Sequence, residues 1–405
     1  MAKRPIPCDL KEEHIPVRIV EIRKREAVTQ LREAWCALQA QCPDATPYQT
    51  WEWNEAWWRH FRARKRLRLL LFYRRQEGGD ALVGIAPFYT SWHYGMPLRR
   101  LAWLGTGCSD YLGPLARPEV AAEVARALMD YLRADLRGWD LADLQQIRAG
   151  SPLLGCGPQA RPRRAVESQS LLPMETCPYL PLPPDWETFL AQLGKGMRSN
   201  LRYYERLIER TFPDVCFSLA DANTLEAGMS ALFRLHQRRW NARWLPGALG
   251  HPRVRAFHRE VAARFLERGW LRLHLLALDG AVRSALYCFA FGGRTYYYLG
   301  GFAPEYGKYS LGTLLTGRAI RQAIEESCSE FDFLRGSEPY KYRWMPEERL
   351  NYRLLLLRSR EGLGGLGELP GRAGFALNRV ERFVVHRAKE FSAQRGRREK
   401  LNPKV

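Results

Sequence analysis

The sequence has no paired cysteines and no long apolar run. Its nine cysteines lie singly, without a Cys-x-x-Cys spacing, which favours a reducing compartment. No window approaches the roughly 18 apolar residues that a membrane-spanning helix needs, and the start Met1-Ala2-Lys3-Arg4-Pro5 has no apolar core behind its charges. We therefore expect a cytoplasmic protein, which leaves open a peripheral position at the inner membrane.

Several catalytic motifs are also missing. The eight histidines form no His-x-x-x-His pair, and the Cys and His positions lack ligand spacing, so we expect no metal site. The chain has no Gly-x-Ser-x-Gly elbow, which argues against a serine hydrolase. It also has neither a Walker loop nor a Gly-x-Gly-x-x-Gly sequence.

Negative charge is scarce relative to positive charge. The chain has 63 Lys and Arg against 43 Asp and Glu, a formal net charge of +20. This excess predicts attraction to polyanions such as CoA phosphates, nucleotide sugars, RNA or an anionic membrane. It does not choose among them, and the arginine usage of a GC-rich genome explains it equally well.

What the chain does contain is one order of elements that occurs twice. With 405 residues, 46% of them hydrophobic, it is long enough for two domains. In the second half, Asp279-Gly280 is a strong hairpin signal. The predicted elements there are the strands Leu271–Leu278, Val282–Phe291 and Thr295–Leu299, the helix Leu311–Glu326 and the strand Phe331–Leu334. Those of the first half are the strands Leu67–Tyr73, Leu82–Tyr89 and Arg100–Leu104, the helix Glu119–Leu136 and the strand Leu141–Ile147.

This repetition predicts an α/β (α+β) fold with two tandem domains. Each is a mixed, mainly antiparallel sheet flanked by helices, and its last strand runs parallel to the strand before the helix. We place the domains at residues 1–175 and 176–358, with a Pro- and Gly-rich join around Pro152–Pro184. Residues 359–405 read as a Gly-rich linker and a basic amphipathic tail. A chance likeness of two α/β units is the alternative.

A glycine-containing helix start is the best candidate for a phosphate site. The segment that precedes the predicted helix supplies glycine for close approach and a hydroxyl that can cap the helix or donate to phosphate. Its candidate cofactor-binding residues are Gly307, Ser310, Leu311, Gly312 and Thr313. A purely structural helix start is the alternative.

Three groups of residues resemble a known family. They are Phe331-Asp332-Phe333-Leu334-Arg335-Gly336-x-Glu338-x-Tyr340-Lys341-x-x-Trp344, Leu235-His236-x-x-Arg239-Trp240, and Tyr48-Gln49-Thr50-Trp51-Glu52-Trp53 with Ser109-Asp110-Tyr111. Together they resemble the CelD-type acetyltransferase-like proteins of the GNAT superfamily, which are linked to cellulose and exopolysaccharide synthesis. These are related to the Fem-type ligases, which use aminoacyl-tRNA and also carry paired GNAT-like domains.

The resemblance implies an acyltransferase that uses acetyl-CoA or another acyl-CoA as cosubstrate. The acceptor would be a small molecule or glycan precursor with an amine or hydroxyl. The usual GNAT phosphate motif is not intact, because only Gly312 matches it at the helix start. Cofactor binding is therefore inferred from the order of elements.

Acyl transfer needs a base, an oxyanion partner and a proton for the leaving thiolate. Glu338 follows a strand end and is the candidate base; a loop carboxylate paired with Arg335 or Lys341 is the alternative. Tyr340 could reprotonate sulfur, Lys341 could hold a phosphate or the acceptor, and Asp332 could orient either one.

Aromatic and basic residues elsewhere are weaker candidates. On the strand that contains Tyr296 and Tyr298, one face is expected to be core and the other to line a cleft. We assign Tyr298 to the cofactor, and Tyr296, His236, Arg239, Trp240 and Trp344 to the substrate, with core packing as the alternative. A basic row at helical spacing comprises Lys195, Arg198, Arg202, Arg206 and Arg210 and is either phosphate-facing or a solvated face.

The sequence thus predicts acyl transfer to a sugar-containing or cell-envelope precursor. Two rivals remain: a Fem-like aminoacyl transferase, for which the nucleic-acid partner would be tRNA, and a non-catalytic adaptor of a polysaccharide synthase. Under the last reading, the basic tail would bind an anionic membrane surface or an acidic partner.

Overall fold

The computed structural model describes residues 17–92, 98–134, 138–156, 166–241 and 249–358, with the side chains of 166–168 and 239–241 left out. The predicted tail, residues 359–405, lies outside this part of the chain. The strands are β1 (Arg18–Ile22), β2 (Lys65–Gln76), β3 (Gly79–Trp92), β4 (Arg99–Trp103), β5 (Leu115–Ala116), β6 (Leu141–Arg148), β7 (Val166–Pro181), β8 (Val215–Leu219), β9 (Leu271–Leu278), β10 (Ala281–Phe291), β11 (Arg294–Phe302), β12 (Glu330–Asp332) and β13 (Glu347–Arg358).

The helices alternate with these strands. They are α1 (Ala27–Gln30), α2 (Arg32–Gln39), α3 (Trp51–Phe61), α4 (Ala121–Ala134), α5 (Trp186–Gln192), α6 (Lys195–Thr211), α7 (Leu225–Asn241), α8 (Pro252–Glu267), α9 (Leu311–Glu325) and α10 (Pro339–Tyr342). Short 3-10 turns occur at Pro47–Gln49, Pro118–Val120, Pro152–Gly155 and Pro304–Tyr309.

The repeated order predicted from the sequence is confirmed. In the first half, β4 pairs in parallel with β6 after α4. In the second half, β11 pairs in parallel with β12 after α9. The hairpin at Asp279-Gly280 has positive φ at both residues, 50° and 71°, as a tight two-residue turn requires. The fold is therefore a mixed α/β fold whose sheet is mainly antiparallel and flanked by helices.

The two halves share one continuous sheet, in the order β1-β2-β3-β4-β6-β13-β7-β12-β11-β10-β9-β8, with β5 beside β3. Each half contributes its last strand to the other: β13 pairs with β6 of the first half, and β7 pairs with β12 of the second. The exchanged strands also pair with each other, antiparallel, along most of their length. We call this arrangement the strand exchange.

The segment predicted as a join differs from the prediction. Residues 166–181 form β7, near the middle of the sheet, and the predicted boundary at residue 175 falls inside this strand. The prolines at 173, 178 and 181 argued against a strand in the sequence, because proline has no backbone N–H to donate to a neighbouring strand. β12 reaches only the last three residues of β7, so between Val166 and Glu175 the strand pairs on one side, with β13.

Helices cover both faces of the second half. α5, α6 and α9 pack on one face, around Leu315, Ile320 and Phe331. On the other face, α7 and α8 of the second half meet α3 of the first, where the Trp53 ring contacts Phe257 edge-on at 5.1 Å. α3 is capped at its N-terminus by Thr50, whose side chain accepts a hydrogen bond from the Trp53 amide. Its buried tryptophans fix the first half against the second.

Candidate active site

The site lies where two parallel strands separate. β11 and β12 pair at only three positions, ending at Tyr296 opposite Asp332. β11 continues to Phe302, but the chain after β12 follows β7, with the Phe333 amide donating to the Pro178 carbonyl at 2.9 Å. The wedge, as we call the space between Tyr297–Gly301 and Phe333–Gly336, is therefore bordered by an edge of β11 that is unpaired with β12.

Asp332 lies at the apex of the wedge and is fully buried. Its Oδ2 accepts a hydrogen bond from the Tyr111 hydroxyl at 2.7 Å, and its Oδ1 accepts one from the Leu334 amide at 2.7 Å. Burial raises the pKa of Asp332 to about 6, against the opposing effects of Arg349 and the Tyr111 hydroxyl. The carboxyl group thus titrates close to neutral pH, where a base is useful.

Arg349 offsets only part of the effect of burial on this pKa. Its guanidinium lies 4.0 Å from Asp332 but 2.5 Å from Glu330, and it stacks over the Tyr179 ring at 3.8 Å. The attraction to Asp332 is weakened by this longer distance, and the negative charge of Glu330 raises the Asp332 pKa further. Asp332 is left with a weak counter-charge.

A second ion pair closes the site from the first half. Asp110 is buried and lies 2.9 Å from the Arg335 guanidinium. Burial raises the pKa of Asp110, while Arg335 opposes that rise. The adjacent Ser109 hydroxyl accepts a hydrogen bond from the Trp53 indole at 2.8 Å. The segment Ser109-Asp110-Tyr111 therefore ties the first half to both Asp332 and the loop after β12.

The candidate phosphate residues Gly307, Ser310, Leu311, Gly312 and Thr313 are brought together at the start of α9. Ser310 has a positive φ of 51°, and its hydroxyl donates to the Thr313 hydroxyl at 3.0 Å. The Leu311 side chain is buried in the core, so this residue offers only its backbone. A Cβ at Gly307 would meet nothing within 4 Å. The Thr313 amide donates to the Ser310 carbonyl at 2.9 Å, which leaves the Leu311 and Gly312 amides as those that lack an acceptor within the helix.

Tyr298 does not lie with that group. Its ring packs with Trp53 and His258 on the face opposite α9, and its hydroxyl donates to the Cys108 carbonyl at 2.6 Å. Tyr296 shares this face and is buried. Tyr297 points the other way, towards Phe333 and Tyr340, at 5.9 and 6.1 Å between ring centroids. Tyr297, to which the sequence assigned no role, is the tyrosine that lines the wedge with Tyr340.

Glu338 and Lys341 pair with each other at 3.0 Å, as in the alternative given for Glu338. The Glu338 side chain is 54% exposed. The Lys341 ammonium is buried and donates to the carbonyls of Leu334, Arg335 and Gly336 at 2.9 to 3.2 Å. An ammonium has three N–H groups, and these three carbonyls can accept all of them. Lys341 therefore stabilises the loop after β12.

The substrate candidates are dispersed. His236 is buried on α7, whose backbone lies so close to β11 that a Cβ on Gly301 would be 2.6 Å from the His236 amide nitrogen. Trp344 is buried and stacks on Phe189, with ring centroids 6.5 Å apart. Arg239 and Trp240 belong to α7, but their side chains are outside the described residues.

Sequence reasoning assigned no role to four residues in and around the site. Tyr111 and Asp110 were noted only as part of a family resemblance, without a role. Arg349 belongs to β13, which no hairpin or glycine signal marked. His258 lies with its Nε2 3.5 Å from the Tyr298 hydroxyl, and burial lowers the pKa of His258 to about 3. It is therefore neutral at physiological pH.

Two further searches concern the described residues alone. In that part of the chain, no group of three or more His, Cys, Asp or Glu side chains is arranged to hold a metal ion. Likewise, none of its helices combines the length and the apolar character needed to cross a bilayer.

Comparisons with known proteins agree with this geometry. Residues 195–342 match the family model of the acetyltransferase (GNAT) domain, so the prediction that the chain carries an acyltransferase domain is confirmed. No sequence among curated proteins matches the chain.

Solved structures extend the likeness to both halves. The crystal structure of FemX is similar over 82% of this chain and 96% of its own, with a TM-score of 0.56 and 12% identity. A conserved protein of unknown function from Bacteroides thetaiotaomicron is similar over 84% of this chain and 100% of its own, with a TM-score of 0.54 and 12% identity. The C-terminal domain of a putative lysylphosphatidylglycerol synthetase from Agrobacterium fabrum is similar over 86% of this chain and 95% of its own, with a TM-score of 0.50 and 12% identity. At this identity the likeness establishes the fold.

Proposed function

We propose that the chain transfers an acyl group, most simply acetyl from acetyl-CoA, to an amine or hydroxyl of a sugar-containing or cell-envelope precursor. The observation that carries the proposal is the wedge, with the buried carboxyl of Asp332 at its apex. The acceptor class rests on the resemblance to CelD-type proteins.

The residues present suit an acyl-CoA. The start of α9 offers amides and a partial positive charge for a pyrophosphate, with space in front of Gly307. β11 beyond Tyr296 has no partner in β12, so its backbone can bond an extended thiol arm. When bound, the thioester supplies an activated carbonyl and a thiolate leaving group. The Tyr297 and Tyr340 rings border the path that this arm would take.

We assign the proton transfers to side chains at the wedge. The acceptor's nitrogen or oxygen attacks the thioester carbonyl, its proton passes to Asp332 directly or through the Tyr111 hydroxyl, and the C–S bond breaks. Tyr340 is the proposed proton donor to the departing thiolate. Glu338, the base predicted from sequence, is the alternative to Asp332, and its exposed pair with Lys341 makes it the weaker one.

Ligand-dependent stabilisation tests the donor. A ligand that binds only the native state at 100 times its Kd adds about 2.7 kcal/mol of stability. We expect acetyl-CoA to raise the melting temperature of the full chain and to be consumed when a sugar acceptor is present. Gly307→Glu should abolish the shift by repelling phosphate. Gly155→Glu, also at an exposed glycine with open space around it, should not. A chain that ignores every acyl-CoA tested would refute the proposal.

A Fem-like aminoacyl transferase is the second candidate, favoured by α6. Its basic row, Lys195, Arg198, Arg202, Arg206 and Arg210, has no carboxylate partner in the described part of the chain. The exposed Tyr203 lies among these residues. Under this function, aminoacyl-tRNA should bind with an affinity that falls steeply with salt, acetyl-CoA should have no effect, and Arg202→Gln with Arg206→Gln should weaken tRNA binding.

A non-catalytic adaptor remains a third proposal and concerns residues outside the described part. Its basic tail would bind an anionic membrane or an acidic partner. Deleting the residues after Gly371 should then abolish localisation without changing acyl transfer.

A further inference from the structure

The second half has an arginine-rich cavity that the acyl-transfer proposal does not use. It lies between α7 and α8, with a volume of about 390 Å³, and its lining includes Arg234, Arg238, Arg255, Arg259, Ser230 and Phe233. This volume is within the range of small-molecule sites.

The cavity has more positive than negative charge. Arg259 pairs with Glu226 at 2.9 Å and Arg238 pairs with Glu305 at 3.2 Å. In the part of the chain that the structure describes, Arg234 and Arg255 have no carboxylate partner. Both existing pairs are exposed, so each contributes little to stability, and an incoming anion can compete for these arginines.

Two of the guanidinium groups are held in place. Arg259 lies over the Phe233 ring at 4.9 Å, and its Nη2 donates to the Ser230 hydroxyl at 3.2 Å. Arg255 donates from Nη1 to the carbonyls of Leu249 and Gly250, both at 3.4 Å. Fixed guanidinium forks match the oxygen geometry of phosphate and lose little entropy on binding.

We propose that this cavity binds a phosphate or diphosphate group of a small molecule. Its position suits a ligand that approaches the wedge from the side opposite α9, because α7 packs against β10 and β11 on that face. The Arg238 pair with Glu305 also joins the cavity to Pro304–Tyr309, the turn that leads into α9. The phosphate group could belong to the acceptor or to acyl-CoA, and the proposal requires no turnover.

Calorimetric titration of the full chain tests the site. We expect inorganic pyrophosphate to bind, and Arg234→Gln with Arg255→Gln to weaken it at least about tenfold, since each hydrogen bond to a charged group contributes about 1.5 kcal/mol or more. The matched control, Arg62→Gln with Arg66→Gln, removes the same charge from two exposed positions of the first half and should change the affinity less than about twofold. Arg234→Gln alone, at an exposed position, provides a variant expected to fold.

Titrations with UDP-glucose and with CoA identify the source of the phosphate. A selective loss of UDP-glucose affinity in the cavity variant supports a phosphorylated acceptor, and a selective loss of CoA affinity supports the donor. Equal losses in the cavity and control variants would reduce the effect to bulk charge and overturn the proposal. So would a wild-type chain that does not bind pyrophosphate.

Discussion

Each half of the molecule has a buried aspartate where its parallel strands separate, and the two aspartates have opposite electrostatic surroundings. In the first half, Asp143 of β6 bonds Arg353 at 2.6 and 2.9 Å and Arg100 at 2.7 Å. In the second, Asp332 of β12 has the Tyr111 hydroxyl and a backbone amide, with Arg349 at 4.0 Å. The same strand, β13, supplies both Arg353 and Arg349.

The pKa values follow from these partners. Burial acts to raise the pKa of Asp143, but Arg100 and Arg353 together outweigh it and hold the pKa below its ordinary value. Burial raises the pKa of Asp332 to about 6. The first half also fills the space beside its strands, since the Leu112 amide donates to the Gln146 carbonyl at 2.7 Å. The comparison shows that the buried aspartate of the first half stays ionised in a stabilising ion pair, whereas that of the second half can titrate near neutral pH.

The largest expected effect is on stability. Asp143→Asn leaves Arg353 buried without its carboxylate, and breaking a buried pair costs about 3 to 5 kcal/mol. Asp332→Asn should cost nothing at neutral pH and should raise the free energy of unfolding there, because the raised pKa means that the fold disfavours the ionised carboxylate, while Arg349 keeps Glu330. Urea unfolding of both variants measures the difference, and equal losses would contradict the comparison.

Catalysis should show the reverse order. Asp332→Asn should lower kcat/KM for acetyl transfer by about 100-fold, the usual contribution of a general base. As the pH is lowered through about 6, Asp332 becomes protonated and the wild-type rate should decrease. This decrease is the acid limb of the pH–rate profile, and the residual rate of the variant should lack it. A variant that retains the limb would assign the titration to another group.

Stability should also respond oppositely to pH in the two halves. The folded pKa of Asp332 lies above its ordinary value of 3.8, so its contribution falls as the pH rises from about 4 to 6. The folded pKa of Asp143 is lowered, so its contribution is present above its unfolded pKa and lost on further acidification. Unfolding free energies of wild type and Asp332→Asn, measured between pH 4 and 7, should converge at the acidic end.

Tyr111→Phe tests the contact between the halves more gently. The phenol lowers the pKa of Asp332 by hydrogen bonding, so its loss should move the acid limb upward by about one pH unit or less. Tyr340→Phe, on the other side of the wedge, should lower kcat without moving the limb. An unchanged limb in Tyr111→Phe would remove Tyr111 from its positioning role.

The smallest effect is expected at Glu338. Its pair with Lys341 is half exposed, and such pairs contribute about 0 to 1 kcal/mol. Glu338→Gln should therefore change stability by less than about 1 kcal/mol and activity by less than tenfold. Activity measured beside Asp332→Asn decides between the two bases, and a larger loss in Glu338→Gln would favour the base predicted from sequence.

Local signals predicted much of the fold. The helix predicted over Leu311–Glu326 is observed at Leu311–Glu325, and Asp279-Gly280 forms the expected turn. The strand exchange could not be predicted from the sequence, because the positions beside β6 and β12 are equivalent and either final strand could fill each of them. No local pattern selects between them.

The site followed the same division. Asp332 was found because a buried strand ends there, whereas the counter-charge that partly offsets the effect of burial on its pKa comes from Arg349, a residue of the exchanged strand. Tyr111 reaches Asp332 across the two halves, and periodicity carries no information on such contacts. Lys341 was predicted to hold a phosphate or the acceptor, because the sequence does not show that its ammonium bonds backbone carbonyls of the preceding loop.

The strand exchange has a consequence for biosynthesis. A ribosome releases residues 65–148 long before residues 347–358, so β6 emerges without the neighbour it will finally have. Until translation nears its end, that edge of the nascent sheet stays available for wrong pairing. We expect the first half, expressed alone, to aggregate, and a peptide spanning 347–358 supplied in trans to rescue it.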